Sequence, residues 1–362
     1  MLLNLTILPG DGIGPEVTEQ AVLVLQSVAN ALGHKLQLQT KNIGGAALAA
    51  VEDPLPPDTI QACLSSSAVL LGAVGSPGFD HYPNHLRPEA GLLRLRRELG
   101  AYANLRPAVC FPALEACSPL RGELVRSTDI MIVRELLGGL YFGEPRSVSG
   151  PAGARFAVNT MTYDERAIER IARVAFDLAV KRRRKVLSVD KANVLECSRL
   201  WREVVTRCAK DYPAVQLAHM YVDSAAMSLV QRPRDFDVLL TENMFGDILS
   251  DQAGGVVGSL GLLASASIGG PVGLYEPVHG SAPDIAGKGI ANPLGAILSV
   301  ALLLRHSFQL EREAGCIENA VGAVLDQGAR TADLARAGES PISTSEMGQR
   351  VVAELRSTKP AS

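Results

Sequence analysis

Residues 185–222 read KVLSVDKANVLECSRLWREVVTRCAKDYPAVQLAHMYV. The stretch opens on a strand-like run, KVLSVD, passes into a helical period over 195–210, and returns to a strand-like run, QLAHMYV. The same alternation continues in both directions. LNLTIL, SAVLLGAV, DIMIV and DVLLTE are further strand-like runs, and helical periods fall near 15–32, 164–181, 244–253, 292–305, 309–326 and 343–356. Strands that alternate with longer helices predict a largely parallel α/β sheet. No internal repeat or low-complexity linker marks a domain boundary.

Bulk properties narrow the function classes. A chain of 362 residues, 47% of them hydrophobic, can bury a large core without staples, and its length suits two domains. A net charge of −3 with both signs interspersed points away from nucleic acid and toward small-molecule ligands. Cys63, Cys110, Cys117, Cys197, Cys208 and Cys316 form no C-x-x-C pair, which argues against zinc, redox and disulfide frameworks and suits a reducing cytoplasm. The start, MLLNLTILPGDG, reads as a first strand and lacks the basic region and cleavage site of a secretory signal. Ala253 to Tyr275 carries no charge, but Gly254, Gly255, Gly269, Gly270 and Pro271 interrupt it. Unpaired backbone in lipid would be too costly, so no membrane span is expected. KRRRK at 181–185 closes a helix, where cations complement the macrodipole. Pro83 separates His81 from His85 and prevents the helical face that a metal pair would need.

Gly10, Gly12 and Gly14 follow the first strand and precede a helix opening at Pro15 and Glu16, which invites a Rossmann reading. The spacing fails. The fingerprint puts its third glycine where Pro15 stands, and no acidic residue ends a second strand about twenty positions on. A tight strand-to-helix turn is the better reading.

Asp247 and Asp251 lie four apart in ENMFGDILSDQAGG and, on a helix, share one face. Like charges at that spacing cost roughly 0.2–0.5 kcal/mol, which a hard divalent cation removes; two solvated carboxylates are the alternative. Asp223 in HMYVDSAAM follows a strand, where both ligand-binding groups and helix caps occur. Three carboxylates would suit Mg2+ or Mn2+. Lys191 in SVDKANVL also ends a strand and could act as a base if desolvated or placed near cations. Tyr141 in LLGGLYFGEPR is either a proton donor or a packed core tyrosine. Arg96, Arg106 and Arg134, in GLLRLR, YANLRP and IVREL, carry forks that grip carboxylates in a bidentate way.

Taken in order, GDGIGPE, GLLRLR, YANLRP, VRELLGGLYFGEPR, SVDKANVL, ENMFGDILSDQAG and the run from Glu276 through Asn292 resemble the isocitrate and isopropylmalate dehydrogenase family. The resemblance covers nearly the whole chain. It implies an open two-domain α/β sheet of that family's type, not a Rossmann fold, working as a homodimer with shared active sites. One domain would span 1–99 and 253–362 with both termini, and the other 100–252, with an interlocking arm near 140–162.

Carried over residue by residue, the resemblance makes Arg96, Arg106 and Arg134 the clamp for the substrate's carboxylates. Asp223, Asp247 and Asp251 become the metal site for Mg2+ or Mn2+. Lys191, the base, and Asp223 would reach in from the neighbouring subunit, and Tyr141 would stand beside the carbon that loses carbon dioxide. Asn193 and Val194 would line the same pocket. Adenosine would lie on the loop His279, Gly280, Ser281, Ala282, Pro283, Asp284, with Asn292 nearby and Glu89 facing the nicotinamide ribose. Asp284 would repel a 2′-phosphate, and Ile285 after it offers no cation, so NAD is favoured over NADP. Leu92 and Leu93 with Val194 could form an apolar pocket for an isopropyl group, although leucine pairs more often pack a helix into the core. The expected reaction is therefore oxidative decarboxylation of 3-isopropylmalate to 4-methyl-2-oxopentanoate, with reduction of NAD. The alternatives are a relative acting on D-malate, tartrate, isocitrate or homoisocitrate, or a non-catalytic regulatory subunit, against which the retained Lys191, Tyr141 and three aspartates speak.

Overall fold

The computed structural model describes residues 1–357. Twelve strands form: β1 (Leu2–Gly10), β2 (Lys35–Thr40), β3 (Ala68–Ala73), β4 (Ala103–Val109), β5 (Asp129–Glu135), β6 (Ser147–Ser149), β7 (Phe156–Val158), β8 (Lys185–Asp190), β9 (Gln216–Tyr221), β10 (Val238–Thr241), β11 (Ala264–Ile268) and β12 (Gly273–Pro277). The helices are α1 (Gly14–Ala31), α2 (Gly45–Val51), α3 (Pro57–Leu64), α4 (Pro88–Glu98), α5 (Gly122–Val125), α6 (Glu165–Lys181), α7 (Glu196–Ala209), α8 (Val222–Gln231), α9 (Asn243–Val257), α10 (Leu294–Phe308), α11 (Glu311–Asp326) and α12 (Thr344–Ser357).

Ten strands make one continuous sheet in the order β2-β1-β3-β12-β11-β4-β5-β10-β8-β9. Pairing is parallel on both flanks and antiparallel through β12-β11-β4-β5 in the middle. The three central reversals make the outer strands of the two halves run in opposite directions. The largely parallel α/β reading therefore holds, and the order is not that of a Rossmann sheet. Strands β1, β2, β3, β11 and β12 lie on one side of the β11–β4 pairing, and β4, β5, β8, β9 and β10 on the other. A boundary at 252/253 does not fall between elements, because α9 continues to Val257; the chain leaves that helix at Gly258, where φ is +121°.

Side chains alternate between two layers of helix, as the period of a strand requires. Met131 and Val133 of β5 join Phe176 of α6 and Val204 of α7 in one core cluster. Ile130 and Ile132 face the other way, onto Leu229 of α8 and Leu249 of α9. The sequence of α6 explains its burial. Ile168, Ile171, Ala172, Ala175, Phe176 and Ala179 recur at helical spacing on one stripe, and the Asp164 carboxylate caps the start by accepting from Ala167 N at 2.7 Å.

The glycine turn after β1 is structural. Gly10 and Gly12 have φ of +73° and +57°, and a side chain on either would collide with the carbonyl oxygen of Ala73 or Ser281. The uncharged stretch after Ala253 becomes the end of α9, a short turn, β11 and β12, and no described helix is long and apolar enough to cross a membrane.

His306, near the end of α10, gives the fold a pH dependence. Burial first, then the neighbouring Arg305 charge, pushes its pKa down to about 4. The unfolded chain takes up that proton near pH 6.5, so between these values the unfolded state binds more protons and stability falls as pH drops from about 6.5 toward about 4. We expect His306→Gln to flatten this part of the melting temperature against pH; an unchanged slope would remove His306 as its source.

Candidate active site

Two helices that begin directly after strands deliver the acidic groups. Glu242, at the end of β10, caps α9 by accepting from Phe245 N at 2.8 Å and Met244 N at 3.1 Å. Asp247 and Asp251 then follow one turn apart on the side facing β4 and β5. Arg134, at the end of β5, passes over Gly246, where an added Cβ would lie 2.7 Å from its Cγ.

The three arginines are buried, and two of them converge on those aspartates. Arg134 Nη1 donates to Asp247 Oδ1, and its Nε and Nη2 donate to Asn243 Oδ1 at 2.9 and 2.7 Å. Arg106 donates to Asn104 Oδ1 and Ser250 Oγ at 2.7 Å each and pairs with Asp251 at 3.3 Å and Asp247 at 3.4 Å. Arg96 donates to the buried Glu276 at 2.7 Å, and its Nε is buried without a partner. Tyr141 OH donates to the other oxygen of Asp247 at 2.7 Å, and its ring faces the Arg134 guanidinium.

Electrostatics separates the two aspartates. Burial would raise the Asp247 carboxyl, but the charges of Arg134 and Arg106 and the Tyr141 hydrogen bond outweigh it, so Asp247 lies below the usual carboxylate range. Asp251 goes the other way, because burial and the nearby Asp247 charge exceed the help of Arg106. Burial, then the Asp247 hydrogen bond, pushes the Tyr141 hydroxyl up to about 12, so it stays protonated at neutral pH. Arg134 is lowered to about 10, by burial and then by Arg106, and remains a cation.

Lys191 and Asp223 form a separate pair, Nζ to Oδ1 at 2.7 Å, beyond β8 and β9. Asp223 does not cap α8: Tyr221 holds the cap position, and Asp223 stands in the first turn with its carboxylate exposed. The Lys191 hydrogen bond holds it below the usual range. Asn193 and Val194 beside this pair are exposed, Val194 at 61%. Among the described residues, no three His, Cys, Asp or Glu side chains of one chain come together as a metal cluster. Leu92 is half-buried and packs against the core cluster of Leu95 and Leu99; Leu93 is half-buried outside it.

The expected nucleotide loop does meet the glycine turn. Ile13 N donates to Ser281 O at 2.8 Å, while a Cβ added at Gly75 would lie 3.1 Å from Ser281 Oγ and 3.3 Å from Glu89 Oε1. Asp11 fastens the surroundings by accepting from the backbone N–H of Gly45, Ala46 and Gly75 at 2.8–2.9 Å. His279 Nδ1 lies 2.9 Å from Gly280 O, and its Nε2 is buried without a partner, as suits a nitrogen awaiting a ligand. Pro283 and Asp284 are exposed at the rim, with Ala282 and Ile285 partly covered. Asn292 has both ends occupied, accepting from Leu294 N and donating to Asp333 at 3.0 Å each.

Sequence reasoning left out Asn104, Tyr163, Glu242, Asn243 and Ser250, which hold these groups in place. Asn104, Glu242, Asn243 and Ser250 stood inside quoted motifs, whereas Tyr163, whose hydroxyl meets Glu242 and Asn243 N, gave no such signal. A cavity of about 840 Å3 lies between Met131, Leu178, Leu263 and Leu302 and contains none of the expected site residues. Of the charged groups on its walls, Arg182 is tied up with Asp129, and Arg305 with Glu311 and Glu318.

Fold and site together suit an α/β enzyme acting on a small carboxylate-bearing molecule. The chain belongs to the isocitrate/isopropylmalate dehydrogenase family, whose model matches residues 4–351. It is 55% identical over 350 residues to 3-isopropylmalate dehydrogenase of Geobacillus kaustophilus, covering 96% of this chain and 94% of that one. The enzyme of the same name from Aquifex aeolicus is 51% identical over 358 residues, covering 99% and 98%. Among solved structures, isocitrate dehydrogenase from Methylococcus capsulatus matches with a TM-score of 0.87 at 37% identity, covering 98% of this chain and 99% of that one.

Proposed function

We propose that this chain oxidises and decarboxylates 3-isopropylmalate to 4-methyl-2-oxopentanoate with NAD as acceptor, a step of leucine biosynthesis. The observation that carries the chemistry is the meeting of Arg134, Arg106, Asp247, Asp251 and Tyr141 at hydrogen-bonding distance. The substrate rests on relatives more than 50% identical that bear the isopropylmalate name, against 37% for the isocitrate enzyme.

Arg96, Arg106 and Arg134 would hold the two carboxylates of the malate core, each guanidinium presenting paired donors. Asp247 and Asp251 supply only oxygen donors, which fits Mg2+ or Mn2+, with Asp223 of the partner subunit completing the set. His279 to Asp284, Glu89 and Asn292 fit the NAD side, where the orphaned His279 nitrogen faces the loop and the Asp284 carboxylate disfavours a 2′-phosphate. When bound, the cation lowers the pKa of the substrate hydroxyl, and NAD accepts the hydride. Lys191 of the partner subunit takes the hydroxyl proton. Tyr141, protonated at neutral pH, delivers a proton to the carbon from which carbon dioxide has left.

Exposed apolar groups support the homodimer. Val148, Phe156 and Val158 stand out on the β6–β7 hairpin inside the 140–162 arm, and Met227, Val230 and Ile248 on α8 and α9. Exposed large apolar side chains gathered on these elements suit an association surface. The six thiols are all free, as a reducing cytoplasm would keep them.

Leu92 tests the substrate assignment. Leu92→Ala should lower kcat/KM on 3-isopropylmalate roughly 10- to 200-fold and spare D-malate, which lacks the γ group. Equal losses on both substrates, with a melt lowered as for a core truncation of about 2–5 kcal/mol, would sink the pocket assignment.

A further inference from the structure

Asn243 is fully buried at the first position of α9, and its amide is fully used. Oδ1 accepts from Arg134 Nε at 2.9 Å and Nη2 at 2.7 Å, while Nδ2 donates to the carbonyls of Leu136 at 3.1 Å and Gly138 at 3.0 Å. Two lone pairs and two N–H groups are all that an amide has. We infer that Asn243 is a positioning residue: it fixes the edge along which Arg134 meets the substrate carboxylate and ties that arginine to the loop carrying Tyr141. The inference rests on the reading of Arg134 as a substrate clamp.

A guanidinium can grip a carboxylate from its side, through Nε and Nη2, or end-on, through its two terminal nitrogens. Asn243 occupies the side edge. Only Nη1 and the second Nη2 hydrogen remain, and Nη1 already points at Asp247. The substrate must therefore be met end-on, next to Asp247 and Asp251. An aspartate could also occupy the side edge, but its charge would offset the cation that the substrate needs, and it would face two carbonyl oxygens without a donor. An asparagine orients the arginine and leaves its charge free. The carbonyls it holds, Leu136 and Gly138, begin the loop that leads to Tyr141, so the clamp and the proton donor share one anchor.

A double-mutant cycle separates this from general structural support. Asn243→Ala should raise KM for both 3-isopropylmalate and D-malate roughly 10- to 100-fold, as for lost hydrogen bonds to a charged group, and leave KM for NAD unchanged. Lysine has no side edge to anchor. In the Arg134→Lys background, Asn243→Ala should therefore add no further rise in substrate KM. Asn243→Asp should raise KM although it keeps the acceptor. Multiplying losses in the cycle, an unchanged KM in Asn243→Ala, or wild-type KM in Asn243→Asp would each overturn the proposal. Unchanged KM in Arg134→Lys alone would instead overturn the clamp reading. If Asn243→Ala does not fold, Asn243→Ser carries the same cycle.

Discussion

Tyr141→Phe should lower kcat on 3-isopropylmalate by about 10²- to 10⁴-fold, the range for losing a positioned proton donor, with little change in substrate KM. The phenol hydroxyl is pinned by a carboxylate, at 2.7 Å from Asp247, and kept protonated by burial and that hydrogen bond. Phenylalanine keeps the ring against Arg134 and removes only that hydroxyl. Steady-state kinetics with a thermal melt reads the result. A kcat within a few-fold of wild type would return Tyr141 to the packing role that its sequence context also allowed.

Lys191→Ala should cost a comparable factor, and mixing the two inactive variants should restore activity. Lys191 and Asp223 pair with each other, away from Asp247 and Tyr141 in the same chain, and the exposed Val194 beside them lacks a cover. In a two-fold symmetric dimer with shared sites, a hybrid of Lys191→Ala and Tyr141→Phe chains has one intact site and one doubly defective site. Random reassociation of equal amounts makes half the dimers hybrids, so about a quarter of wild-type activity should return. Mixed chains that stay as inactive as each parent after demonstrated subunit exchange would place Lys191 and Tyr141 in the same subunit's site.

The alternation of KVLSVD with a helical period and QLAHMYV leads directly to β8, α7 and β9, because side-chain periods of two and of 3.6 are local properties. The listening posts of the site were less legible. β4 carries Asn104 and Arg106 at buried positions, and β11 reads ASASI, so neither shows the apolar run of a strand; both are buried in the sheet centre by their neighbours. The aspartates, Tyr141 and the arginines could be quoted as motifs, but their pairing joins β4, β5 and α9 across more than a hundred residues, which no local pattern carries. Asn243 lay inside the quoted ENMFGDILSD string without a role, since its partners are backbone carbonyls and an arginine brought to it only by the fold. Asp223 shows the reverse limit: its position after a strand was plain, but the cap position fell to Tyr221.

The most direct test is a substrate panel with product analysis. Purified protein with 3-isopropylmalate, NAD and Mg2+ should yield NADH, carbon dioxide and 4-methyl-2-oxopentanoate in equal amounts. Its kcat/KM should exceed the values for isocitrate, homoisocitrate, D-malate and tartrate measured in parallel. Higher efficiency on any of those four, or NADH formed from none of the five, would contradict the account.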